Sequence, residues 1–235
     1  ADTFADVDVG DSLTYTAMRT DGSPLPSWLA FDAAGRTFSG TPVNDDVGTL
    51  SVKVVATDIG NSSAFDTLDL TVINTNDAPI ANPDAASVLE NATTVNLTAT
   101  LLANDTDVDA GNTRTITAVN TAATLGVVAF NAATQALIYA ANAATLDALR
   151  AGVTATDTFA YTVTDAAGAS SSATVTMTVT GVNDPVIAVA DSASVNENAT
   201  TANLASLLLA NDTDVDAGDT KTITAVNTSG TVGIV

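Results

Sequence analysis

The sequence predicts an all-β protein, built from antiparallel β-sandwiches that follow one another end to end. Its 235 residues exceed one typical domain, and a content of 46% hydrophobic but only 4% aromatic residues suits several small cores. Between acidic clusters, apolar residues alternate with Thr and Ser in short β-branched runs, which is the period of a half-buried strand. Many such strands in units of roughly 100 residues are typical of antiparallel sandwiches.

Six segments show this alternation clearly, and each predicts one strand. They are SLTYTAM (12–18), TLSVKVVAT (49–57), FDTLDLTVI (65–73), TRTITAVN (113–120), TFAYTVT (158–164) and SATVTMTVT (172–180). Gly, Pro, Asn and Asp stand between the strands and predict turns. The segment NAATLDALRAG differs, because Leu146 and Leu149 lie three residues apart, which predicts a helical turn or two.

A long internal repeat organises the chain. Residues 81–128 align without gaps to residues 188–235, and 34 of the 48 positions are identical. The offset of 107 residues is the length of a domain rather than of one solenoid turn. The linkers NTNDAPI (74–80) and GVNDPVI (181–187) each follow a predicted strand and carry a Pro that ends strand pairing.

These linkers divide the chain into three predicted parts. We expect one domain at residues 1–78, with its first strand missing, and a second domain at residues 79–185. Residues 186–235 would be the N-terminal half of a further copy of the second domain. With so few linker residues, consecutive domains must follow each other directly.

Composition excludes several classes of function. The net charge is −21, from 27 acidic and 6 basic residues, whereas binding nucleic acid requires basic residues that neutralise phosphates. The same charge disfavours anionic lipid, and no apolar run is long enough to insert into a membrane. Because the chain lacks both His and Cys, Ser-His and Cys-His catalysis and disulfides are impossible, and we expect no enzyme.

The acidic residues gather in clusters, which solubility or adaptation to high salt does not require. NDTDVDAG occurs at residues 104–111 and again at 211–218, and each copy sets three Asp at alternate positions. Alternate residues of an extended chain face the same side, so like charges converge. An EF-hand is not predicted, because Ala110 and Ile116 stand where that loop needs Gly and Glu. A hard cation that accepts many oxygen ligands, above all Ca²⁺, would relieve the repulsion.

Several short motifs resemble those of the cadherin superfamily. NTNDAP and GVNDP are similar to the cadherin interdomain linker, in which Asn and Asp precede a Pro. The early D-x-D-x-G motif of a repeat is matched by DVDVGD (6–11), DVDAGN (107–112) and DVDAGD (214–219). The late A-x-D-x-G motif is matched by VATDIG (55–60) and VTDAAG (163–168). The glutamate near the start of a repeat is matched by ENAT (90–93 and 197–200). Residues 25–58 resemble the dystroglycan-type cadherin-like domain, and residues 81–185 resemble repeats of the VCBS and RTX-adhesin type.

The resemblance implies Ig/cadherin-like sandwiches with Ca²⁺ bound at each domain junction. The residues it implies for the first junction are Asp46, Asn74, Asn76, Asp77, Asp107, Asp109 and Asp165. Those for the second junction are Glu90, Asp157, Asn183, Asp184, Asp214 and Asp216, while Asp6, Asp8 and Asp58 would line the outer end of the first domain. Gly181 stands where the first linker has Asn74, so the second junction would have one ligand fewer. No family role is implied for Asp105 and Asp212, which could be outer-shell groups or turn residues.

The function implied by this resemblance is mechanical. We expect a calcium-rigidified spacer of a large bacterial adhesin or surface filament, secreted and extracellular, whose partners are the neighbouring cadherin-like domains of the same chain. Other copies of the chain or extracellular polysaccharide are further candidate partners. The alternative is a carbohydrate-binding or accessory module of a secreted enzyme, which exposed aromatic side chains would favour.

Overall fold

The computed structural model of the protein describes residues 4–8 and 10–231 and divides into two compact units. The first unit consists of Ala1–Asp77 with Val108–Gly111, and the second of Ala78–Asp107 with Asn112–Val235. Strands dominate both units, which confirms the all-β class. None of the helices described has the length and hydrophobicity that crossing a membrane requires.

The first unit contains a three-stranded antiparallel sheet and a hairpin. The sheet has the order β1-β4-β5, and its strands are β1 (Thr14–Arg19), β4 (Gly48–Thr57) and β5 (Ser63–Val72). The hairpin consists of β2 (Leu29–Asp32) and β3 (Thr37–Gly40), and a 3-10 turn at Asn44–Asp46 precedes β4. Leu29, Val52 and Ala56 are buried, so this unit has a small core, as the scarcity of aromatic residues predicts.

The second unit packs a four-stranded sheet against a two-stranded one. The larger sheet, in the order β6-β11-β10-β7, comprises β6 (Asp84–Leu89), β7 (Thr115–Asn120), β10 (Thr154–Thr164) and β11 (Ser170–Thr180). The smaller sheet pairs β8 (Val127–Asn131) with β9 (Ala136–Ala140), and short helices lie at α1 (Thr98–Leu101), α2 (Ala144–Asp147) and α3 (Ala205–Leu208). All six strands named from the alternation are present, and α2 is the predicted helical turn.

The core of the second unit follows the two-residue period of its strands. Phe159, Tyr161 and Val163 of β10 are buried, and Ala160 and Thr162 between them face outward. Val175, Met177 and Val179 of β11 repeat the pattern and extend the same apolar face. Tyr139 of β9 closes the core from the other sheet, with its ring centroid 6.4 Å from that of Phe159.

One strand pair of this unit is parallel rather than antiparallel. β6 runs alongside β11, with Asp84 opposite Val175 and Leu89 opposite Thr180, whereas every other pair among the named strands is antiparallel. Parallel neighbours need a long connection, and here β6 and β11 are the first and last strands of the repeat.

Residues 186–231 carry the sequence of the first repeat but not its strands. TITAVN forms β7 at residues 115–120, while the same six letters at 222–227 form no strand. β7 obtains its hydrogen bonds from β10, and the described part of the second copy contains no counterpart of β10. The strand therefore depends on its partner as well as on its own alternation.

Asp157 is buried in the core of the first repeat, and its role as a metal ligand of the second junction stays a prediction. The residue is 4% exposed, and its carboxylate accepts hydrogen bonds from the Leu125 and Gly126 N–H groups and from the Tyr139 hydroxyl, at 2.7–2.9 Å. Burial by itself would raise the pKa of Asp157, but the bonds from Gly126, Leu125, Tyr139 and Thr158 outweigh it and hold the pKa below its usual value. Asp157 is buried because it lies on the inward-facing register of β10.

We predict that Asp157→Asn destabilises the repeat. The amide would place an NH₂ group against backbone N–H donors, and losing bonds to a charged acceptor should cost about 2–3 kcal/mol of unfolding free energy, measured by urea denaturation. Because the pKa of Asp157 is lowered on folding, the wild-type advantage is present above the usual pKa of 3.8 and shrinks as the pH falls through the folded value. Thr156→Ser, on the outward face of β10, is the control, and an Asn variant as stable as this control would contradict the assignment.

Candidate metal centre

Three carboxylates converge beside the second linker. One oxygen each of Glu90, Asp184 and Asp216 lies within 4.8 Å of the others. We call this group the Glu90 cluster. Glu90 directly follows β6, Asp184 belongs to the linker, and Asp216 is the third Asp of the second NDTDVDAG motif. Glu90 and Asp216 are each only 2% exposed and Asp184 is half-buried, so the cluster brings charges with little access to solvent together from three separate segments.

Backbone hydrogen bonds hold two of the three carboxylates, those of Glu90 and Asp216. The Val182 N–H donates to Glu90 Oε1 at 2.6 Å, and the Asp184 N–H donates to Asp216 Oδ2 at 3.0 Å. Asp214 supports the motif, because its Oδ1 accepts the Asp216 N–H at 3.0 Å. Each of these bonds occupies one oxygen of a carboxylate and leaves the other oxygen directed elsewhere.

The other carboxylate oxygens of the Glu90 cluster indicate that it needs a ligand. Glu90 Oε2, Asp184 Oδ2 and Asp216 Oδ1 are buried and have no hydrogen-bond partner. A buried charge without a partner is costly, and burial together with repulsion from Asp147, Asp216 and Asp214 raises the pKa of Asp184. A hard cation at this point would satisfy all three oxygens and remove the repulsion, so the residues present fit Ca²⁺.

Asn183 lies beside the cluster without belonging to it. Its side-chain amide donates to the Asp184 carbonyl at 2.7 Å, as the Asn76 amide donates to the Asp77 carbonyl at 3.0 Å in the first linker. The two linkers therefore use Asn in the same way, to shape the turn that presents the following Asp.

The first copy of NDTDVDAG repeats one contact of the second. The Asp77 N–H donates to Asp109 Oδ2 at 2.7 Å, which matches the bond between Asp184 and Asp216. Asn44 donates its side-chain amide to Asp77 Oδ2 at 2.6 Å, and Asp109 is buried.

The remaining residues predicted for the first junction have local roles. Asp107 Oδ2 accepts from the Asn112 amide at 3.3 Å. Asp46 Oδ2 accepts the Val43 N–H at 2.9 Å and caps the 3-10 turn, while Asp165 Oδ1 accepts the Ala169 N–H at 2.8 Å. Asn74 is exposed. Asp107 and Asp165 belong to the second unit and the other five predicted residues to the first, and a metal site shared by all seven stays a prediction.

A second, more exposed acidic group lies in the first unit. Asp6, Asp11 and Asp58 each place an oxygen within 4.8 Å of the others, whereas Asp8 is not a member. Asp8 instead donates its N–H to Asp6 Oδ1 at 2.9 Å. Asp11 was not predicted as a site residue, although it occupies the position of Asn112 and Asp219 in the other two motif copies.

The first Asp of each NDTDVDAG motif holds the fold together. Asp105 is 3% exposed and accepts the Asn82 N–H at 2.8 Å and the buried Tyr161 hydroxyl at 3.0 Å. Asp212 accepts the Val189 N–H at 2.8 Å, the equivalent backbone bond in the second copy. The first Asp of the motif thus anchors the segment after the linker, and the third Asp accepts the N–H of the Asp in the linker.

Gly181 has a steric role that explains why the second linker lacks an Asn. Its N–H donates to the Val153 carbonyl at 2.8 Å, and its own carbonyl accepts the Gly152 N–H at 2.9 Å. A Cβ at Gly181 would lie 2.5 Å from the Leu149 carbonyl oxygen and still closer to that of Arg150. The linker therefore presses directly on the loop at residues 149–153.

Family models identify both parts of the chain. Residues 76–181 match the bacterial cadherin-like domain, and residues 1–73 match the He_PIG family of Ig domains. The match over residues 76–181 confirms the resemblance to bacterial cadherin-like domains that was drawn from the motifs. The dystroglycan-type assignment of residues 25–58 stays a prediction.

The chain is similar to solved fragments of cadherin ectodomains. Human CDH23 EC21-23 is 18% identical with a TM-score of 0.51, over 88% of this chain and 74% of that one. Human mucin-like protocadherin EC1-2 is 18% identical with a TM-score of 0.44, over 75% and 87%, and Drosophila N-cadherin EC1-4 is 12% identical with a TM-score of 0.46, over 79% and 45%. A search of curated proteins gave no match. The match to CDH23 confirms the Ig/cadherin-like sandwich fold.

We predict that Gly181→Asn destabilises the second unit, even though it restores the residue of the first linker. The side chain would overlap two carbonyl oxygens, and overpacking of this kind costs about 1–3 kcal/mol of unfolding free energy, measured by thermal and urea denaturation. Ala151→Asn, at an exposed position of the same loop, should change stability little. A Gly181→Asn protein of unchanged stability would show that the linker tolerates a side chain here.

Proposed function

We propose that the chain is a calcium-binding spacer segment of a larger bacterial extracellular protein, stiffened at its junctions by the metal. The observation that carries the proposal is the Glu90 cluster, in which three buried carboxylate oxygens without hydrogen-bond partners converge from three segments. A chain without His or Cys offers only oxygen ligands, which are the ligands that Ca²⁺ prefers. Mg²⁺ fits less well, because it demands a tight octahedron and keeps its waters.

The three segments that carry the cluster residues explain how binding would stiffen the chain. Glu90 is anchored to the end of β6 and Asp216 to the second motif, with Asp184 of the linker between them. When bound, the ion supplies positive charge that ties these three segments together, so bending the linker would separate charged ligands from it. Without the ion, repulsion among the same carboxylates opposes close packing of the segments.

The wider proposal rests on the family of residues 76–181 and on the repeated motif. Cadherin-like domains are in general adhesion modules that bind calcium, and we extend this to the first linker, with Asn74, Asn76, Asp77, Asp107 and Asp109 as its ligands. The domains would be residues 1–78, 79–185 and 186–235. We place the protein outside the cell, as part of an adhesin or surface filament whose stiff array presents a distant binding tip to other copies or to polysaccharide.

We predict that calcium raises the stability of the protein through Glu90. At a Ca²⁺ concentration 100-fold above Kd, one site should add about 2.7 kcal/mol to the free energy of unfolding. Glu90→Gln should lose most of this gain, since Gln keeps an acceptor for the Val182 N–H but removes the charge. Titration calorimetry and melting curves in calcium and in chelator measure both effects.

Glu197→Gln is the matched control for this experiment. Glu197 occupies the position of Glu90 in the second copy, but it is exposed and lies outside the Glu90 cluster. Its variant should bind calcium like the wild type. Identical melting curves in calcium and chelator for the wild type would refute calcium binding, and equal losses in the two variants would refute the role of Glu90.

We predict that calcium narrows the distribution of distances between the first repeat and the second motif copy. The chain has no Cys, so Thr174→Cys on β11 and Ser206→Cys on α3 supply two unique positions for spin labels. Pulsed electron resonance should give a narrower distance distribution in calcium than in chelator, and the added variant Glu90→Gln should remove the difference. A distribution that ignores calcium in the wild type would contradict the stiffening.

A further inference from the structure

Arg150 brings a positive charge of the protein itself to the acidic junction. It is one of only 6 basic residues, and it follows α2 on the loop at residues 148–153. Its Nε lies 3.0 Å from Asp219 Oδ1, and the two side chains are 46% and 32% exposed. Asp219 lies three residues after Asp216 of the Glu90 cluster, so the guanidinium adjoins the acidic segment that contains Asp214, Asp216 and Asp219.

The backbone beside this ion pair is also docked. The Ala217 N–H donates to the Ala148 carbonyl at 3.1 Å, which joins the second NDTDVDAG motif directly to the loop of Arg150. The guanidinium crosses Gly218 so closely that a side chain there would collide with Arg150 Nη2. At Gly111, the same position of the first motif copy, an added Cβ would meet no atom within 4 Å. Two identical sequences therefore have different surroundings.

The second linker holds the loop of Arg150 in place. Gly181 exchanges two backbone hydrogen bonds with Gly152 and Val153, on the C-terminal side of Arg150. The lack of a side chain at Gly181 lets the linker approach the carbonyl oxygens of Leu149 and Arg150. The backbone of the loop that carries Arg150 is thus held by contacts that need no metal.

We propose that Arg150 is a built-in counter-cation, which docks the second copy of NDTDVDAG on the loop at residues 148–153 in the absence of metal. It offsets part of the negative charge of Asp214, Asp216 and Asp219, and it leaves the Glu90 cluster preassembled for a cation. The inference rests on the proposed function only in treating that cluster as a cation site. The second junction would accordingly keep part of its order when calcium is removed.

The test compares Arg150 variants in chelator. Arg150→Gln should speed hydrogen exchange of the Ala217 amide about two- to fivefold, the range that an exposed ion pair can supply. It should also broaden the distance distribution between labels at positions 174 and 206. Arg150→Lys, which keeps the charge, should restore much of the protection, and the exchanged pair Arg150→Asp with Asp219→Arg should restore it further. Lys53→Gln in the first unit is the control for loss of one positive charge.

Salt separates an electrostatic role from a packing role. Between low salt and about 0.5 M NaCl, the wild type in chelator should approach the exchange rate of Arg150→Gln, because exposed charges are screened over about 10 Å or less at 0.1 M salt and above. The Gln variant itself should change little. Equal Ala217 exchange in wild type and Arg150→Gln in chelator, or no effect of salt on the wild type, would overturn the inference.

The outcomes also distinguish this inference from calcium binding. If calorimetry finds no calcium binding while Arg150→Gln still loosens the Ala217 amide, the proposed function fails and the counter-cation stands. If calcium binds through Glu90 while Arg150→Gln has no effect in chelator, the proposed function stands and the counter-cation role of Arg150 fails.

Discussion

Buried carboxylates that must find partners among very few basic residues constrain this protein more than any other interaction. With 27 acids and 6 basic residues, ion pairs cannot neutralise the interior charges. Asp157 is satisfied by backbone N–H groups and a tyrosine, and Asp105 by Tyr161 and the Asn82 N–H, whereas each carboxylate of the Glu90 cluster keeps one buried oxygen without a hydrogen-bond partner. The acids with full sets of hydrogen bonds hold strands and linkers together, and those with a buried oxygen left over form the cluster that we propose binds a cation.

The sequence predicted the strands well because their burial follows a period of two. Phe159, Tyr161 and Val163 lie inward in β10 as the alternation requires, and the same is true of β11. Glu90, Asp184 and Asp216 could be predicted as one site because motif order along the chain indicates which segments meet at a junction. Asp157 could not be separated from them by type alone, since an Asp at an inward register of a strand and an Asp at a junction look alike until their neighbours are known.

Other features depend on contacts that lie far apart in the sequence. The identical letters TITAVN form a strand beside β10 and none without it, so local propensity sets the possibility and pairing decides the outcome. The parallel pairing of β6 with β11 is a matter of topology, which the alternation of apolar and polar residues does not indicate. Gly181 read as a missing ligand in the sequence, and only the carbonyl oxygens of Leu149 and Arg150 show that a side chain cannot fit there.

The parallel pairing of β6 and β11 has a consequence for a chain under tension. β6 begins soon after the first linker and β11 ends at the second, so force applied through the linkers pulls these neighbours in opposite directions along their length. The residue pairs from Asp84–Val175 to Leu89–Thr180 are then loaded together in shear. A hairpin pulled from its open end instead separates one residue pair at a time. The first and last strands of the repeat thus form a mechanical clamp, and the rupture force of the domain is set where the chain enters and leaves it.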